Sequence, residues 1–79
     1  MATKFTAKQG QYLSFIYYYT KVNRRPPAHA DIQRFFGVTP PSVHNMILTL
    51  ERNGLIARTP RAARSIKVLV ERDDLPPLD

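Results

Sequence analysis

A chain of 79 residues, 43% hydrophobic and with four Tyr and four Phe, can fill one small core but leaves little stability for long loops, deep clefts or strained active sites. Without a cysteine it forms no disulfide, thiol nucleophile or cysteine-bound metal centre, and its mainly apolar stretch at residues 12–19 is far too short to span a bilayer. Twelve Lys+Arg stand against six Asp+Glu, a formal charge of +6. Glu71, Asp73, Asp74 and Asp79 sit at the end with Arg72 alone, which leaves residues 1–70 with eleven basic and two acidic groups, a net +9. A body this basic attracts polyanions, nucleic acid first, unless its charge serves only solubility.

Met1 to Lys4 contain no apolar segment of the kind that opens a secretory signal. Thr6 is placed to cap a first helix, with Gln9 three residues on as a capping box requires and Phe5 ahead as a hydrophobic staple. Leu13, Ile16 and Thr20 share one face and Tyr12, Phe15 and Tyr19 its neighbour, so a helix is predicted over residues 7–22. Asn23-Arg24-Arg25-Pro26-Pro27 ends it, because proline disfavours helix in the residue before it. A short second helix follows over residues 29–36, with Ile32 and Phe36 one turn apart, Asp31 at its positive end, and Gly37 to stop it in a left-handed conformation. Thr39 caps a third helix, Pro40 fits its first position, and Val43, Ile47 and Leu50 recur at helical spacing up to a stop near Asn53-Gly54.

Beyond Gly54 the period changes to two. Residues 55–59 and 65–70 read as strands, the second with Ile66, Val68 and Val70 on one face, joined by the basic tip Pro60-Arg61-Ala62-Ala63-Arg64. Residues 71–79, acidic and containing Pro76-Pro77, read as an irregular tail to a domain of residues 1–70. Three helices and a hairpin, mainly α with a small β element, are the order of a winged helix-turn-helix, with Gly37-Val38-Thr39 as the short turn of the motif.

In that geometry the third helix enters the major groove of double-stranded DNA. Val43, Met46, Ile47 and Leu50 point inward, and Pro41, Ser42, His44, Asn45, Leu48, Thr49 and Arg52 form the remaining surface. Asn45 can pair with adenine through two hydrogen bonds, Ser42 and His44 can donate or accept at base edges, and Pro41 can touch a thymine methyl; otherwise these residues are simply hydrated. Arg52 is better placed for phosphate. Arg58, Arg61, Arg64 and Lys67 cluster on the hairpin, where a wing follows the backbone or places an arginine in the minor groove, the alternative being an ordinary solvated charge run.

These residues, in order, resemble a known family. Residues 5–9 (Phe-Thr-Ala-Lys-Gln), Pro26-Pro27, Asp31-Ile32, Phe36-Gly37, Ser42-Val43-His44, residues 50–56 (Leu-Glu-Arg-Asn-Gly-Leu-Ile) and residues 63–66 (Ala-Arg-Ser-Ile) are similar to the DNA-binding domain of the LexA repressors over about residues 5–70. The resemblance implies a winged helix that binds bacterial operator DNA in the cytoplasm, on the nucleoid. It carries base contact to Thr39, Pro41, Ser42, His44 and Asn45. The turn before the third helix is one residue shorter than in many members, and Pro40-Pro41 makes a rigid pair there, so the operator sequence does not carry over. Ala28 stands where members tend to have a Thr or Ser cap, which implies a weaker start to the second helix, and Gln33 replaces a small residue. Members continue into a self-cleaving domain cut at Ala-Gly; this sequence has neither that dipeptide nor the domain, so self-cleavage is not expected of it.

The main dimer contact of the family lies in that same domain, and one module on half a site binds weakly. Tyr17, Tyr18 and Phe35 look surplus to a three-helix core, so they either join two copies of the chain or pack under Leu75 and Leu78. His29 and His44 are the only histidines, and no carboxylate cluster, phosphate loop or nucleophile motif accompanies them, so no catalytic residue, metal or cofactor is expected. The rival function is a winged helix that binds a larger regulator rather than DNA, since fold does not dictate ligand. RNA is less suited, because the aromatics lie on a helix and not on a sheet face.

Overall fold

The structure, a computed structural model, describes residues 5–78, so the reading of Met1 to Lys4 and the last acid of the tail, Asp79, lie outside the described residues. The elements are α1 (Ala7–Asn23), α2 (His29–Phe36), α3 (Pro40–Arg52), β1 (Ile56–Ala57), β2 (Lys67–Val68) and a 3₁₀ turn (Arg72–Asp74). All three helices begin at the expected residue because the local chemistry at each start is strong. Thr6 Oγ1 accepts the Gln9 N–H at 3.1 Å while Gln9 Oε1 accepts the Thr6 N–H at 3.0 Å, which completes the capping box. Arg24, left-handed at φ 60°, ends α1 by donating its N–H to the Thr20 carbonyl. Thr39 Oγ1 accepts the Ser42 N–H at the start of α3, with Pro40 at the first position. Gly37, at φ 64°, closes α2. At the start of α2 Ala28 offers no capping oxygen, but the Asp31 carboxylate reaches back to accept the Ala28 N–H at 2.9 Å and supplies half of a capping box.

The core lies where the three helices and the hairpin meet. Leu13 and Ile16 from α1, Ile32 from α2, Val43, Ile47 and Leu50 from α3, and Leu55, Ile56 and Ile66 from the hairpin are all buried. Tyr12 stacks flat on Phe36 with ring centroids 4.3 Å apart, and Phe15 stacks on Phe35 at 4.4 Å, so aromatic faces seal the α1–α2 contact.

The hairpin is much shorter than its sequence pattern. Only Ile56↔Val68 and Ala57↔Lys67 pair, antiparallel, with one further bond from the Leu69 N–H to the Leu55 carbonyl. Pro60 has no N–H to give a ladder, and Arg61 and Arg64 are left-handed at φ 65° and 55°, which turns the chain out of strand geometry on both sides of the tip. The side-chain alternation survives: Ile66 is buried, Val68 and Val70 are half-buried, and Lys67 and Leu69 are exposed.

The last segment contains one 3₁₀ turn and then folds back along the first half of α1. Ser14, fully buried, donates to the Pro76 carbonyl at 2.7 Å, and Gln11 Nε2 donates to the Pro77 carbonyl at 2.8 Å. Gly10 makes the fit possible, because a Cβ there would stand 2.9 Å from Pro76 Cγ and 3.0 Å from the Phe5 ring. Leu75 and Leu78 are half-buried against the core.

Two outcomes are expected. Ser14→Ala leaves the Pro76 carbonyl without its buried donor and lowers the unfolding free energy by about 1 kcal/mol, read by urea titration. The Asp31 carboxyl is held below the usual carboxylate range, first by the Ala28 N–H and then by the Tyr19 hydroxyl and Arg64, against the opposing effect of burial. Its folded value lies below its unfolded one, so its stabilisation is complete above about pH 4 and is lost as pH falls through the folded value. Asp31→Asn therefore flattens the loss of stability between neutral pH and acid.

Candidate nucleic-acid interface

α3 divides cleanly by face. Val43, Ile47 and Leu50 are fully buried and Met46 is half-buried, while Pro41, Ser42, His44 and Asn45 are exposed along the first two turns with Thr39 at the cap. All five residues expected at base edges thus share one solvent-facing surface. Two of them are engaged with each other, since the Thr39 and Ser42 hydroxyls lie 2.9 Å apart. Further along, Leu48 and Thr49, expected on the outer surface, are half-buried, and the Thr49 hydroxyl is turned back onto the Asn45 carbonyl. Arg52 is exposed at the last position of the helix.

The basic residues of the wing differ in their freedom. Arg61 and Lys67 are exposed. Arg58 is half-buried and donates from Nε to Glu51 at 3.1 Å, which ties the base of the wing to the end of α3. Arg64 is drawn into the domain: Nη1 lies 3.0 Å from Asp31 Oδ2 and donates to the Tyr19 hydroxyl at 3.2 Å and to the Pro26 carbonyl at 3.3 Å.

His29, at the first position of α2, joins these two groups and was not singled out by its sequence context. Its ring lies 6.5 Å from that of His44 on α3. On its other side a cleft opens between the start of α2 and the wing, with Pro27, Ala28 and His29 on one wall and Arg58, Arg61 and Ala62 on the other. Arg58 is close enough to help lower the His29 pKa, after partial burial and ahead of His44. The exposed face of α3, the start of α2 and the base of the wing therefore form one continuous surface, rich in cations and short polar groups. The signal that could have found His29 is its position in the first turn of α2, the helix immediately before α3.

The three surplus aromatics do not act together. Phe35 and Tyr18 are 47% and 41% exposed, and Phe35 lies on Phe15, one turn from Tyr18. Val22, 78% exposed, continues the same strip of α1. Tyr17 is half-buried and lines a separate hollow with Pro26, Ile66 and Val68, although its edge meets Tyr18.

Three helices, a tight glycine turn between the second and third, and an antiparallel hairpin carrying basic residues define a winged helix-turn-helix. The family model of the LexA DNA binding domain matches residues 2–65, and the chain belongs to that family. Its relatives include the LexA repressor of Thermosipho melanesiensis, 35% identical over 91% of this chain and 36% of that protein. The LexA repressors of Thermosipho africanus and Bacillus subtilis are 38% and 36% identical, over 90% and 94% of this chain and 35% and 37% of their own lengths. The chain thus spans about a third of the length of the curated relatives it matches. Among the described residues, no helix is long and apolar enough to cross a membrane.

An NMR titration of the two imidazoles checks the linked surface. His29 is expected to titrate below its ordinary range, and Arg58→Ala to raise it. The folded value lies below the unfolded one, so the contribution of His29 to stability is complete above about pH 6.5 and is lost as pH falls through the folded value.

Proposed function

We propose that the chain is a sequence-specific double-stranded DNA-binding transcriptional regulator, a repressor like its relatives, acting on the nucleoid in the cytoplasm. α3 lies in the major groove and the wing follows the backbone or enters the minor groove. The observation that carries this reading is the shared face: His29 bridges His44 on α3 and the arginine-lined cleft of the wing, so one duplex meets both. Asn45 lies in the second turn of α3, exposed, with an amide suited to the N6 and N7 edge of adenine. Ser42 and His44 flank it with groups that donate or accept, Pro41 offers an apolar contact to a thymine methyl, and Thr39 sits at the groove entrance. Arg52, Arg61 and Lys67 are the exposed cations for phosphate, and Arg58 follows with part of its charge held by Glu51.

A second copy of the chain pairs through Tyr18 and Phe35, extended by Val22, a strip that the tail leaves exposed. Tyr17, turned toward the wing, contributes only its edge contact with Tyr18. Two linked modules gain affinity on a two-part site through effective concentration. Sedimentation is expected to show a dimer for the wild type and a monomer for Tyr18→Ala; a monomer in both removes the pairing.

The DNA reading is tested on duplexes selected from a random pool with the pure protein. Asn45→Ala is expected to cost about 1–3 kcal/mol on the selected duplex and nothing on a nonspecific one. Arg61→Ala and Lys67→Ala should each flatten the log–log salt slope by about one while weakening all duplexes alike. Equal loss on every sequence for Asn45→Ala would move that residue to the backbone class, and failure of the wild type to select any duplex would end the reading.

A further inference from the structure

One oxygen of Asp31 is the meeting point of four segments. Asp31 Oδ2 accepts the Ala28 N–H at 2.9 Å and the Tyr19 hydroxyl at 3.2 Å, and stands 3.0 Å from Arg64 Nη1. That nitrogen also donates to the Tyr19 hydroxyl and the Pro26 carbonyl, so α1, the α1–α2 link, the start of α2 and the wing are joined in one polar cluster. The cluster is sheltered, with the Asp31 side chain 15% exposed and that of Arg64 30%. Arg58 on Glu51 ties the base of the wing to α3, but beyond it the tip has few other anchors. The ladder is two residue pairs long, the tip is closed by bonds among Thr59, Ala62 and Ser65, and Arg64 holds a left-handed backbone that non-glycine residues avoid.

We propose that Asp31 and Arg64 are positioning residues for duplex binding: their ion pair, seated on Tyr19 and Pro26, sets the angle of the wing to α3, so that Arg61 and Lys67 reach the backbone of a duplex held by α3. The proposal rests on the DNA-binding reading above. One wing cation is thereby used for geometry and not for phosphate. An arginine suits the role, because its planar fork fixes direction as well as charge, which a lysine does not. Ile66 beside it is buried, so the base of the wing is fixed by an apolar contact next to a polar one.

Asp31→Asn gives a test in which the sign decides. The asparagine oxygen can still accept the Ala28 N–H and keep the start of α2, but the charge that holds Arg64 is gone. Removing a negative charge near a polyanion strengthens binding by electrostatics alone, and a freed Arg64 would add to it. Loss of the clasp does the opposite. With a duplex selected by the wild type, at fixed salt and well below the unfolding temperature, Asp31→Asn is expected to bind roughly five- to tenfold more weakly, the scale of one lost specific contact. In the free protein the Thr59 and Ala62 amides of the wing should exchange faster while those of α3 do not change. Arg64→Ala should also weaken binding yet keep the salt slope of the wild type. Binding by Asp31→Asn as tight as or tighter than wild type would overturn the proposal, as would a slope flatter by about one in Arg64→Ala, which would place Arg64 on a phosphate. A wild type that binds no duplex would remove the DNA reading itself, whereas tight wild-type binding with an indifferent Asp31→Asn removes only the clasp.

Discussion

A single carboxylate does several jobs in this small protein. Asp31 replaces the cap that Ala28 lacks, accepts from the hydroxyl of Tyr19 on α1, and holds Arg64 of the wing. A chain of this size cannot fix every element by apolar burial, because too little of its surface leaves water on folding. The hairpin shows the consequence: with two residue pairs in its ladder it needs an anchor beyond its own backbone bonds. The pairing of Asp31 with Arg64 provides one, next to the buried Ile66, and so relates the wing to the helices that carry the proposed DNA face.

The same economy governs α3. Its inner residues, Val43, Ile47 and Leu50, belong to the only buried cluster formed by the described residues, while the outer ones carry hydroxyl, imidazole and amide groups. The helix cannot tilt or rotate without exposing that inner row, so the outward direction of Ser42, His44 and Asn45 is set by the core. His29 extends the surface onto α2, and the wing continues it with cations. A second exposed patch is different in kind, with the apolar side chains of Tyr18, Val22 and Phe35 exposed on α1 and α2.

The helices were legible because their signals are local. Thr6 with Gln9, Thr39 with Pro40, and Gly37 each act within a few residues of the boundary they set, and helical spacing gives the outer face of the first half of α3, whereas Leu48 and Thr49, placed outward by the same spacing, are half-buried. The hairpin was only half legible. The alternation of Ile66, Val68 and Val70 gave the correct faces, but ladder length depends on backbone conformation at Arg61 and Arg64, which composition does not display. The wing cations were legible as a cluster and not as individuals: Arg64 and Arg58 find acceptors at Asp31 and Glu51 only once the chain has folded. The docking of Pro76 and Pro77 on Ser14 and Gln11 joins segments more than sixty residues apart, and no local pattern announces it.

On the proposed function, one face, made of α3, the start of α2 and the wing, receives the duplex. Mapping backbone amide shifts of the isotope-labelled protein as a selected duplex is added tests it most directly. The expected result is a contiguous set of large changes at residues 39–45, at His29 and at residues 58–67, with residues 15–22 and Phe35 unmoved at the same protein concentration. Large changes concentrated on Tyr18, Val22 and Phe35, with Ser42 and Asn45 silent, would contradict it.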